Sequence, residues 1–142
     1  MAKNKWITRT VLALLVILCA VLWVQKKEEH SKMEELCQVS ASIALDDFKA
    51  YLEDGKESDY ISGVSRFRSF MTAYLYLNEN VSDAEYKWCN TVYGYMLLNP
   101  EKVQRNVQGL IDALEYLAED YDHPGGFNLI HVYSNELAHG NE

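Results

Sequence analysis

The sequence predicts an all-α protein: one N-terminal transmembrane helix continuing into an antiparallel four-helix bundle, with a short fifth C-terminal helix. Three observations predict this class. An uninterrupted apolar run, Val11 to Val24, stands near the N-terminus. Beyond it, apolar residues recur at three- and four-residue steps, the period of a helix face. No stretch alternates over a strand's length, so no sheet is expected.

The apolar run comes first. Its 14 residues fall short of the ~20 of a free-standing span and match the hydrophobic part of a secretory signal. Cleavage of a signal, however, needs small residues just past the run, and Gln25-Lys26-Lys27-Glu28-Glu29 supplies none. Leu18-Cys19-Ala20 has bulky Leu at −3, with Val21 to Val24 still to follow, and Leu18 stands where lipoprotein processing at Cys19 requires a small residue. The segment is therefore expected to remain as an uncleaved signal-anchor over residues 7–24. Those 18 residues make about 27 Å of helix at ~1.5 Å per residue, which just spans a bilayer core. Trp6 and Trp23 would then mark the two membrane interfaces, and Arg9, one turn in, would snorkel to the headgroups.

Orientation follows less directly, because Lys3, Lys5 and Arg9 on one side are matched by Lys26, Lys27 and Lys32 on the other. A short basic tail ahead of an apolar run is how export signals begin, and long domains translocate largely regardless of charge. The expected topology thus has a cytoplasmic tail (1–6), the anchor (7–24), a helical juxtamembrane linker (25–32) and an acidic domain (33–142) outside the cell membrane.

Within that domain, no Pro or Gly precedes Gly55, so nothing stops the anchor helix from running on into the first domain helix. Its face runs Met33, Leu36, Cys37, Ser40, Ile43, Ala44, Asp47, Phe48, Tyr51, and Glu53-Asp54-Gly55 is the stop. The second helix is expected from an N-cap at Ser58, with the stripe Tyr60, Val64, Phe67, Met71, Tyr74 and Leu75, as far as Asn78-Glu79-Asn80. Ser82 and Glu85 form a capping box for the third, whose core line is Trp88 or Cys89, then Val92 and Met96. Asn99-Pro100-Glu101 closes it and opens the fourth, with Asn99 as cap and Pro100 in the first helical position. Val103, Val107, Leu110, Leu114, Leu117 and Tyr121 give the fourth helix the cleanest pattern. His123-Pro124-Gly125-Gly126 is expected to end it, and Phe127 to His139 to form the short fifth helix with Ile130, Tyr133 and Leu137 inward. Short connections make successive helices antiparallel neighbours, with the last packed across the bundle.

Composition narrows the function. Residues 33–142 carry 7 Lys or Arg against 19 Asp or Glu, a net charge of −12. Nucleic acid is not an expected partner, since neutralising phosphate dominates that affinity, and the same field keeps the domain off an anionic lipid surface. There is no Gly-x-Ser-x-Gly, no phosphate-cradling glycine loop and no His-Glu-x-x-His, so no catalytic residue and no cofactor is assigned and an enzyme is not expected. Three cysteines make no disulfide framework. Cys19 lies in the anchor, and Cys37 and Cys89, the one pair that could bridge, are read as buried thiols on diagonal helices.

Two patterns are candidate sites. Tyr51, Tyr60, Tyr93 and Tyr95 gather near the membrane-distal end together with Gly63 and Gly94, where missing side chains could leave a tyrosine-lined cleft for a small ligand. The competing reading is that these rings cap a bundle end, apolar face inward and hydroxyl in water. His131, Asn135 and His139 are spaced four apart, but no carboxylate completes a metal set, and the acidic turn Glu119, Asp120, Asp122, His123 lacks the ligand alternation of a calcium loop. No metal site is assigned. The expected role is protein interaction by an anchored extracytoplasmic domain, as an accessory of an envelope complex, with self-association through the stalk allowed. The alternatives are a small-molecule sensor using the tyrosine cleft and a membrane-tethered enzyme.

Overall fold

The computed structural model describes residues 2–78 and 83–140, with side chains from Arg9 to Asn78 and from Ala84 to Gly140. Six helices follow in order: α1 (Ala2–Asp54), α2 (Glu57–Leu77), α3 (Asp83–Leu98), α4 (Pro100–Arg105), α5 (Val107–Glu119) and α6 (Pro124–His139). The described residues contain no strand. Two compact units are present, residues 1–32 and residues 33–142; α1 is assigned as one helix through both, as the lack of Pro and Gly before Gly55 predicts.

The first unit consists of the N-terminal part of α1. From Arg9 onward it offers an 18-residue window of mean hydropathy 1.9, long and apolar enough to cross a membrane, and none of that window is buried within the chain. Every large apolar side chain from Val11 to Val24 is exposed, between 47% (Val21) and 67% (Trp23). Lys27 places its ammonium 5.7 Å from the centre of the Trp23 ring, and Lys32 pairs with Glu28 one turn back at 2.7 Å. Of the two tryptophans expected at the interfaces, the side chain of Trp6 lies outside the described residues.

The second unit has a continuous core. Gly55, with φ at +69°, takes the left-handed conformation and donates its N–H to the Tyr51 carbonyl at 2.8 Å, the glycine stop that ends a helix without side-chain strain. Because this turn is so tight, α2 restarts at Glu57 and not at an N-cap Ser58. Lys56 holds the cap position with extended backbone, Asp54 accepts the Lys56 N–H at 3.0 Å, and Ser58, one residue into the helix, turns its hydroxyl to Asp59 at 3.3 Å. On α2, Tyr60, Val64, Phe67, Met71 and Tyr74 are buried as their spacing requires, and Phe70 and Ala73 join them; Leu75 is instead 48% exposed. Asn78 caps the end, its side chain donating to the Tyr74 carbonyl at 3.2 Å. The capping box expected for α3 falls on Ser82, outside the described residues. On α3 the buried line is Cys89, Val92 and Met96, with Trp88 at its margin.

The fourth helix is broken where one unbroken helix was expected. Asn106 leaves helical geometry (φ −130°, ψ 37°) and separates α4 from α5. Asparagine is a weak helix former because its amide competes for hydrogen bonds, and here that amide donates to the Glu136 carboxylate on α6 at 3.1 Å. The apolar repeat survives the break, since Val103, Val107, Leu110, Leu114 and Leu117 are all buried, but Tyr121, expected to continue it, lies past the end of α5 and is only partly buried. The segment His123 to Gly126 also does the reverse of what was expected. It starts α6: Pro124 takes the first helical position, and His123 caps it by accepting the Gly125 N–H on Nδ1 at 3.0 Å. The result is a helix of 16 residues, as long as α3.

Helix α6 is correspondingly a full member of the core, packing chiefly against α5 and α3. It runs antiparallel to α5, since Gly109 at the start of α5 lies under the Tyr133 ring while Leu117 near its end lies against Gly126. Gly109 is required by that closeness: a Cβ there would sit 2.8 Å from Tyr133 Cδ2. Tyr133 is 1% exposed and donates its hydroxyl to the Val103 carbonyl at 3.4 Å. Across α1 and α2, Cys37 meets the Phe70 carbonyl at 3.7 Å and Asp47 accepts from Ser62 at 2.6 Å, so these two are also antiparallel. No described buried side-chain nitrogen or oxygen lacks a hydrogen-bond partner.

Candidate functional site

The four tyrosines proposed to ring a cleft take three different environments. Tyr60 is buried, lies 5.3 Å from the Tyr51 ring and 5.9 Å from Phe48, and donates its hydroxyl to the Met96 carbonyl at 3.3 Å. Burial pushes its phenol well above the usual tyrosine range. Tyr95 sits beneath the Lys102 ammonium, 5.8 Å from ring centre, at the α3–α4 corner. Tyr93 faces another groove altogether. Space at the two glycines differs as well: at Gly63 it is filled by the Phe48 ring, whose Cε1 and Cζ lie 2.9 Å from where a Cβ would be, whereas a Cβ at Gly94 would meet nothing within 4 Å. Tyr51 and Tyr60 therefore belong with Phe48 in one aromatic packing group, and Tyr93 belongs elsewhere.

At the opposite end of the unit, polar groups tie the α5–α6 turn to α1 and α2. The Gln38 side chain donates to the Ala118 carbonyl and accepts the Tyr121 N–H at 3.1 Å, satisfying both sides of the end of α5. Tyr121 donates to Glu34 at 3.4 Å, and Tyr74 donates to Asp122 at 3.2 Å. Below them lie the two thiols, both unbridged and buried. Burial, and secondarily Asp122, pushes the Cys37 thiol up to about 12; burial, with Cys37 next in order, also raises Cys89. The acidic turn is spent on this internal bonding, since Asp122 holds Tyr74 and Asp120 accepts the Asp122 N–H at 3.2 Å. His131 stacks on Trp88 with ring centres 4.3 Å apart, and no group of three or more His, Cys, Asp or Glu among the described residues is placed to hold a metal ion.

Comparison of the chain with protein-family models, with curated proteins and with solved structures finds no match.

Two grooves flank α2. One, about 460 Å³, runs between α2 and α3 and is lined by Arg68, Met71, Leu75, Asn90, Tyr93 and Leu97 with their neighbours. The other, about 380 Å³, runs between α1 and α2 past Met33, Leu36, Ser69 and Tyr76. Arg68 and Thr72, one turn apart, line both, so they form the ridge between them. The sequence reading singled out Tyr93 but missed Arg68. The available signal was its place beside the apolar stripe Val64, Phe67, Met71, with Arg66 the only other basic residue on α2.

Proposed function

We propose that this chain is a single-pass membrane-anchored protein: residues 1–6 cytoplasmic, 7–24 in the bilayer, 25–32 a helical linker, and 33–142 an extracytoplasmic binding domain that serves a partner protein in an envelope complex. One observation carries it. The apolar side chains of residues 11–24 are exposed on every side of the helix, and the chain buries none of that window. A fully buried Val, Leu or Ile is worth roughly 1.5–3 kcal/mol, so such a segment needs lipid as its solvent. Trp23 and the lysines after it suit an interface position.

The antiparallel contacts of α1 with α2 and of α5 with α6 support a bundle design for the domain, with α6 as its fifth member. Its exposed Leu36, Leu75, Tyr76 and Leu97, distributed over the two grooves beside α2, supply the surface for binding. A reagent that cannot cross membranes tests the topology directly. Asn128 is exposed and follows Gly126; the Asn128→Cys protein should be labelled in intact cells and remain with the membrane after alkaline extraction. Labelling only after lysis would reverse the orientation, and release by alkali would remove the anchor.

A further inference from the structure

We propose that the groove between α2 and α3 is a binding site for a small amphipathic organic anion, an apolar or aromatic body bearing one carboxylate, with Arg68 as the residue that takes the anionic head. This goes beyond the anchored-domain reading and holds on whichever side of the membrane the domain lies.

The first observation is electrostatic. Residues 33–142 hold 19 acidic side chains against 7 basic ones, yet among the described residues neither groove beside α2 has an Asp or Glu in its lining. Lys49 is paired with Glu115 and Lys56 with Asp54, while Lys102 and Arg105 donate to backbone carbonyls. Among the described residues, the Arg68 guanidinium has no hydrogen-bonding or ionic partner. Acids surround this domain, and the one arginine on the ridge between the grooves is left without one. Arginine presents a planar fork suited to gripping a carboxylate through two parallel bonds.

The second observation is the shape and chemistry of the groove. Small-molecule sites are concave, about 300–1,000 Å³, mostly apolar, with a few placed polar groups; this groove has about 460 Å³. Its floor is Met71, 5% exposed, with Leu75 and Leu97 half out in solvent on its walls. Tyr86, Tyr93 and Asn90 line the same groove, and their side-chain polar groups, like that of Arg68, have no hydrogen-bond partner among the described residues. Tyr60 reaches the Met96 carbonyl and Tyr74 feels the Glu85 charge, so α3 runs antiparallel to α2 along the groove. The groove therefore follows α3 from Tyr86 to Leu97, about 16 Å at ~1.5 Å per residue, enough for an extended body with its head at Arg68. Thr72 steadies the ridge by donating its hydroxyl to the Arg68 carbonyl at 3.0 Å.

The test uses the full chain in nanodiscs of zwitterionic lipid, with empty nanodiscs as the blank. Binding of three probes, 4-phenylbutyrate, naphthalene-1-acetate and decanoate, is compared with that of their uncharged amides by equilibrium dialysis. At least one acid should bind at least ten-fold tighter than its amide, and more weakly as salt is raised. Arg68→Gln should abolish that preference and leave the amide unchanged, while Arg68→Lys should keep part of it. Tyr93→Phe should weaken the acid by a smaller factor. Arg68 is exposed, so the variants should melt with the parent in the absence of probe. Three results would each overturn the proposal: no acid binds, acid and amide bind alike, or Arg68→Gln binds as the parent does. It would equally fall if this groove proved to be occupied by a second copy, seen as a probe-independent dimer that Arg68→Gln dissociates.

Discussion

The packing of Phe48 over Gly63 on the α1–α2 seam supports a prediction whose sign changes with context. A methyl group added at Gly63 would lie 2.9 Å from Phe48 Cε1 and Cζ. The ring cannot swing away, because Phe48 is fully buried and leans edge-on against Tyr60 at 5.9 Å. Overpacking of this kind costs about 1–3 kcal/mol, whereas alanine in place of glycine inside a helix gains about 1 kcal/mol. Gly63→Ala alone should therefore destabilise by roughly 1 kcal/mol net, within a range of about 0–2. Phe48→Leu removes the obstructing ring edge and should cost about 1–2 kcal/mol of burial and cavity energy. In that background only the helix gain of Gly63→Ala remains, so the second substitution should stabilise by up to about 1 kcal/mol. The cycle then yields a coupling of roughly 1–3 kcal/mol in favour of the double variant, well above the ~0.5 kcal/mol expected of independent sites. Urea unfolding in mild detergent measures it through the fluorescence of Trp88, half-buried and stacked on His131. Equal effects of Gly63→Ala in both backgrounds would refute the close approach and, with it, the reason this α2 position carries no side chain.

Four further outcomes follow from the same structure. Gln38→Ala removes the hydrogen bonds to Ala118 and Tyr121 and should cost about 1–3 kcal/mol, with hydrogen exchange rising first at the end of α5. His123→Ala removes the cap of α6 and should lower stability by about 0.5–2 kcal/mol, read as a drop in thermal midpoint. Leu114→Ala, at a fully buried site on α5, should cost about 2.7–5 kcal/mol and, in a unit of this size, leave a large unfolded fraction at 37 °C. The domain should also lose stability in alkali. The folded Cys37 thiol lies at about 12 against 9.0 when free, so its contribution is complete below pH 9 and is lost as pH rises from there towards 12. The loss is about 1.4 kcal/mol by pH 10; a Cys37→Ala protein should show a shallower decline between pH 8 and pH 10 by urea titration at each pH.

What the sequence revealed, and what it concealed, divides along a physical line. Spacing within one helix was legible: Val103, Val107, Leu110, Leu114 and Leu117 are buried although the helix carrying them is broken, because burial is set by which face a residue occupies. The break itself was hidden, since Asn106 trades helical geometry for a bond to Glu136, thirty residues on. Turn residues proved ambiguous for a related reason. His123-Pro124 fits both the end of one helix and the start of the next, and only the Nδ1 bond to Gly125 decides between them. The tyrosine cleft turned on information no single helix contains, namely that Phe48 of α1 fills the space Gly63 leaves on α2.

Arg68 shows the same division from the side of function. A charged residue at the margin of an apolar stripe ordinarily reaches into water or finds an opposite charge, and the domain offers 19 acidic residues. Whether a partner is present depends on what the neighbouring helices bring to the groove. α3 brings Tyr86, Asn90 and Tyr93, and α1 brings Met33 and Leu36; among the described residues neither brings a carboxylate. The lack of acids in both grooves among the described residues is thus a property of three helix faces at once, and it leaves Arg68 without a carboxylate partner among those residues. The exposed apolar window of residues 11–24 follows the same logic: it too has a chemical character that the rest of the protein does not match, and each such mismatch identifies the kind of surroundings the residues require.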